Sequence, residues 1–133
     1  MKRAMMAGLF LACGGCSSTP ADLEAKATPA VQPFSENYQE IYRRAAGTAK
    51  RCIAGNVGAY ASMAVDTELY SDLGYGEITV SMINWGARNY YLSARIEKAQ
   101  QSGSKVVVRT GNTLGADNLS RSLMRWSAGE TEC

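Results

Sequence analysis

Between residues 60 and 110 the chain alternates apolar and polar side chains almost without interruption, and nothing else in it restricts the fold so strongly. Ala61, Met63, Val65, Thr67 and Leu69 share one parity, broken by Ser62, Asp66 and Glu68. Ile78, Val80 and Met82 alternate with Glu77, Thr79 and Ser81. Tyr90, Leu92, Ala94 and Ile96 alternate with Tyr91, Ser93, Arg95 and Glu97, and "KVVVRT" adds a fourth run. A period of two with polar partners marks strands that are apolar on one face and wet on the other, as antiparallel sheets allow. The interruptions "SDLGYG", "NWGAR" and "QQSGS" are short and carry Gly, which suits hairpin connections. These runs predict a four-stranded antiparallel meander.

Helical spacing takes over on both sides. Tyr38, Ile41, Tyr42, Ala45, Ala49, Cys52 and Ile53 recur with the helix period, which predicts an amphipathic helix over about residues 37–54. Asn37 is a candidate N-cap with Glu40 as its capping-box partner, and Gly55 stands where a C-cap glycine belongs. Arg43, Arg44, Lys50 and Arg51 fall mostly on the other side, as a solvated face or a contact for anionic headgroups. In "ADNLSRSLMRWSAG", Leu119, Leu123 and Trp126 form a second stripe that ends at Gly129. The expected class is α+β in the order α-β-β-β-β-α, with both helices on one sheet face.

The N-terminus reads as an address. Lys2 and Arg3 precede an uncharged apolar run from Ala4 to Ala12, the layout of a secretory leader and too short to span a bilayer. Cys13 and Cys16 follow. A CxxC redox pair or a metal clip would require a folded scaffold around them. A small residue directly before a cysteine instead resembles the lipobox of Gram-negative lipoproteins, in which the cysteine is acylated and becomes the new N-terminus. Cys13 has the more apolar residues before it; Cys16 allows a leader of more usual length. The resemblance implies a signal peptide over 1–15, a lipidated, disordered tether over 16–33 rich in Ser, Thr, Pro and Ala, and a small periplasmic domain over 34–133. Ser17 after Cys16 resembles an outer-membrane sorting signal. The mature domain resembles small proteobacterial lipoproteins of uncharacterised function.

Acylation at Cys16 removes Cys13 with the leader and leaves Cys52 and Cys133 as a pair, which predicts a disulfide in an oxidising compartment. Acylation at Cys13 would leave Cys16 as an unpaired thiol. Of the fourteen Lys and Arg side chains two leave with the leader, and the remaining twelve match the twelve Asp and Glu. That balance argues against nucleic acid as a partner. The chain has no His, so Ser-His and Cys-His nucleophile pairs and the commonest zinc ligand sets are excluded. Phosphate-loop motifs are absent, and no cofactor, metal or catalytic residue is expected. Asp66, Glu68, Glu77 and Glu97 share the polar parity with Arg95 and read as cross-strand ion pairs. Tyr70, Tyr75, Trp85 and Tyr91, at strand ends or on the polar parity, are candidate contacts for an envelope partner, a glycan or lipid, or else cover hairpin ends and fill the core edges. The expected role is a non-catalytic binding or accessory module attached to the membrane by acyl chains. The alternative is a small envelope enzyme acting on glycan or peptide.

Overall fold

The computed structural model describes residues 19–26, 28–111 and 114–133; Cys13 and Cys16, and with them the lipidation expectation, lie outside the described residues. The class is α+β, with a six-stranded antiparallel sheet and three helices. Helix α1 (Pro20–Lys26) leads into β1 (Ala30–Phe34), followed by α2 (Tyr38–Ile53) and the two-residue β2 (Gly55–Asn56). The meander β3 (Ala61–Tyr70), β4 (Tyr75–Asn84), β5 (Ala87–Lys98) and β6 (Ser104–Thr110) then leads to α3 (Ala116–Ser127). The sheet order is β1-β6-β5-β4-β3-β2.

The four-strand expectation is therefore corrected at both borders, where β1 pairs with β6 and β2 with β3. The stretch expected to be a tether holds α1 and β1, so the ordered fold begins ahead of residue 34. Helix α1 is started by a reciprocal cap: the Asp22 amide donates to Thr19 Oγ1 (3.2 Å) and the Thr19 amide to Asp22 Oδ2 (3.1 Å). Pro20 at the first helical position costs no hydrogen bond. Strand β1 tolerates Pro33 because it is a border strand and needs only one ladder.

Helices α2 and α3 share one sheet face, as expected. Their Ile41, Ala45, Ala49, Leu123 and Trp126 pack on Ile78, Val80, Leu92, Ala94, Ile96, Val106 and Val108 in one buried cluster. Asn37 caps α2 by accepting from the Gln39 amide at 2.8 Å. Glu40 pairs with Arg43 (3.3 Å), and Gly55 opens β2 after an Ala54 C-cap. Gly76 allows the closest approach of helix to sheet. A Cβ there would lie 2.4 Å from the Tyr42 ring, so the ring rests on bare backbone.

Two basic residues of α2 are structural. Arg44 Nε donates to the Ser127 carbonyl (2.6 Å) and its Nη2 to Glu36 (2.9 Å), while Arg51 donates to the Thr131 carbonyl. Trp126 is 2 % exposed, and its indole N–H donates to the Glu132 carbonyl at 2.8 Å. These bonds lead the C-terminal tail back along α2 to a Cys52–Cys133 disulfide, with Cα atoms 5.3 Å apart, within the usual range for such bridges.

Helix α1 lies on the other side. Its Leu23 is 1 % exposed, stands apart from the main cluster, and lies against Gly111. The polar face is thus roofed in part by a segment expected to be loose.

Candidate functional site

The polar face is built by register. Asp66 pairs with Thr79, Glu68 with Glu77 and Tyr70 with Tyr75 across β3 and β4, and Glu77 pairs with Arg95 across β4 and β5. Beyond Val80 the register shifts. Val80 faces Leu92 but Ser81 faces Tyr90, so Tyr91 is an extra residue in β5. The shift overturns the expected parity of Tyr90. Instead of joining Leu92 on the core side, Tyr90 lines a shallow cleft with Asp66, Glu68, Glu77, Thr79 and, from α1, Pro20. The cleft holds about 190 Å³.

Three of the four carboxylates singled out in the sequence therefore meet. Asp66 accepts from Arg88 at 2.5 Å, and Glu77 accepts from both Nε (3.3 Å) and Nη2 (3.0 Å) of Arg95. Glu68 accepts from the Tyr70 hydroxyl. Glu97 stands apart, paired with Lys105 at 2.8 Å. The hydrogen bond that Arg88 donates to Asp66 holds the arginine's proton more tightly than usual. Burial works against the charge of Arg95, but the hydrogen bond and charge of Glu77 outweigh it and the net shift is upward. The hydrogen bond to Glu68 pushes the Tyr70 phenol up to about 12.

The four candidate aromatics do not converge. Tyr70 and Tyr75 meet at the β3–β4 hairpin with ring centroids 4.9 Å apart, and the Arg95 guanidinium lies 4.0 Å from the Tyr75 centroid. Trp85 is at the opposite end of β4. The Tyr91 hydroxyl donates to Met82 Sδ at 3.7 Å.

Trp85 has a partner that the alternation hid. Tyr60, just before β3, stacks on it with centroids 4.4 Å apart and planes 22° from parallel. Trp85 is 77 % exposed and Tyr60 66 %. Trp85 and Gly86 form the two-residue β4–β5 turn, at φ 50° and 79°. Turns with both central residues at positive φ ordinarily take Asn, Asp or Gly, and a bulky side chain there is an outlier.

Among the described residues no group of three or more His, Cys, Asp or Glu side chains could hold a metal ion, and no helix is long and apolar enough to cross a membrane. Comparison with protein-family models and with curated proteins finds no match.

Proposed function

We propose that this chain is a lipid-anchored, non-catalytic binding or accessory module of a Gram-negative envelope, acylated at Cys16 (or Cys13) on the outer membrane, with its domain in the periplasm. The observation that carries the reading is the Cys52–Cys133 bridge, because disulfides persist in oxidising compartments outside the cytosol. It agrees with the leader and with the cysteine parity that acylation at Cys16 leaves. Support for binding over chemistry comes from the polar face. Asp66 and Glu77 are each engaged by an arginine, which leaves an oxygen of each occupied within the protein. The half-buried Tyr70 and Tyr75 at one hairpin and the exposed Trp85 at the other provide contact area for an envelope partner. Globomycin should leave a precursor that retains its leader, and mass spectrometry of the mature N-terminal peptide should find acyl chains on Cys16 or Cys13. Unchanged mobility and an unmodified terminus would overturn the reading. Crosslinking in intact envelope through Tyr70, Tyr75 or Trp85 then identifies the partner.

A second reading rests on the cleft itself. Asp66, Glu68 and Glu77 surround one concavity, the setting a small hydrolase acting on glycan or peptide requires. Asp66→Asn, Glu68→Gln and Glu77→Gln would then each abolish turnover of envelope glycan or peptide by the folded protein. Equal turnover by all three variants and wild type would exclude it.

A further inference from the structure

Four large apolar side chains stand exposed at one end of the sheet: Val57, Tyr60, Trp85 and Leu114. They sit on the loop between β2 and β3, on the β4–β5 hairpin and after β6, all at the same end by the register. The two loops that carry the stacked pair, residues 56–60 and 84–87, contain no charged residue. The hairpin at the other end carries Asp72, and the β5–β6 turn is bounded by Lys98 and Lys105. A Trp–Tyr pair on two uncharged loops, with Arg88 bordering the hairpin, matches the boundary between headgroups and acyl chains, where such rings put their apolar bodies in lipid and their polar edges in water.

The path of the chain points the same way. It enters the fold at Thr19 and Pro20, and Pro20 lies in the cleft with Tyr90, five residues along β5 from Trp85. Five strand residues span about 17 Å, and the three-residue step from Cys16 to Thr19 reaches about 10 Å. That reach is shorter than the span, so a bilayer holding acyl chains at Cys16 meets the tip when the strands lie inclined to its surface rather than upright on it. Trp85 also keeps its place against the preference of its own turn, and conformations of that kind cluster where a side chain is needed for contact.

We infer that the Tyr60–Trp85 tip is a second membrane contact, with the ring pair seated in the headgroup layer of the bilayer that carries the anchor. The inference rests on the lipid-anchor reading above. It fixes one end of the sheet against lipid and turns the Tyr70–Tyr75 end, with its Arg95 and Glu77, toward the periplasm.

The test uses the full acylated chain in vesicles of phosphatidylethanolamine and phosphatidylglycerol whose acyl chains carry bromine near the carbonyl end. Bromine quenches tryptophan only at close range. Trp126 is buried in the protein core and supplies an unquenched baseline. The expected result is that Trp85 emission falls at least twofold relative to unbrominated vesicles. The loss should vanish in Trp85→Phe and shrink in Tyr60→Ser, with circular dichroism confirming that both variants fold. If the chain floats with the vesicles and Trp85 emission is unchanged, the tip does not touch lipid and the inference is overturned while the anchor stands. An unchanged emission that shifts only when purified peptidoglycan is added would overturn it in favour of a glycan contact. If the chain does not float at all, the anchor reading falls and the inference with it.

Discussion

Breaking the Cys52–Cys133 bridge should cost this domain a large part of its stability. The bridge closes a loop spanning 81 positions. In the chain-entropy treatment, a loop of that size removes enough freedom from the unfolded chain to stabilise the fold by about 4–5 kcal/mol at 25 °C. Small domains hold only about 5–15 kcal/mol in total. With a urea dependence of about 1.5 kcal/mol per molar, typical of this size, the midpoint should drop by about 3 M. Urea titrations followed by circular dichroism would compare wild type, wild type in reductant, Cys52→Ser, Cys133→Ser and the double variant. The three variants and the reduced wild type should coincide within about 0.5 kcal/mol, because each removes the same cross-link and the effects of one cross-link cannot add. Reductant should leave Cys52→Ser unchanged. Removing residues 130–133 should cost a further 1–3 kcal/mol or so, since it also takes away the carbonyls that accept from Arg51 and Trp126. A loss below about 1 kcal/mol in Cys52→Ser, or a double variant clearly worse than either single, would refute the cross-link argument.

Gly76→Ala should destabilise by about 1–3 kcal/mol through the Tyr42 ring, and Gly76→Ala with Tyr42→Leu should recover part of the loss; thermal melts decide. Tyr70 should titrate near 12 by carbon NMR of its labelled ring, and Glu68→Gln should bring it back toward 10. Its folded value is raised, so its contribution to stability is complete below the unfolded value near 10 and is lost as pH rises toward 12. The hydrogen bond from Arg44 holds Glu36 below the usual carboxylate range. Its contribution is present above the unfolded value near 4.5 and is lost as pH falls through the depressed one; Arg44→Gln should flatten that acid limb in urea titrations. The hydroxyl of Ser104 is buried without a hydrogen-bond partner, so Ser104→Ala should keep stability or raise it by up to about 1 kcal/mol.

The legible parts of the fold were those written in local pattern. Period two placed β3, β4, β5 and β6, and Asn37 with its helical stripe placed α2. Cysteine parity paired Cys52 with Cys133. The border strands escaped for a physical reason. "AVQPF" is extended because β6 supplies its hydrogen bonds, and a two-residue strand has no period to detect. Helix α1 did leave a signal in "TPAD", a capping box with Pro at the first helical position, but the Ser, Thr, Pro and Ala around it read as tether. The shift at Tyr91 is invisible to alternation, since one extra residue puts the side chains before it out of step with those after it. Tyr90 was therefore assigned to the core, and the cleft that it lines with Asp66, Glu68 and Glu77 came only from the folded chain. Tyr60 was missed because it precedes its strand and finds Trp85 only across the hairpin.

The borders of the sheet bear on how copies of this chain behave in a crowd. One border carries Pro33, which withholds a donor from any newcomer strand. At the other, β2 covers β3 only at Ser62 and Met63, so that among the described residues the stretch from Ala64 to Tyr70 has β4 on one side and no strand on its outer side. If two molecules met antiparallel there, centred on Thr67, Asp66 of each would face Glu68 of the other. Four negative side chains at one seam, offset in part by the Arg88 that pairs with each Asp66, oppose the zipper that such an open strand invites and disfavour that register of edge-to-edge pairing.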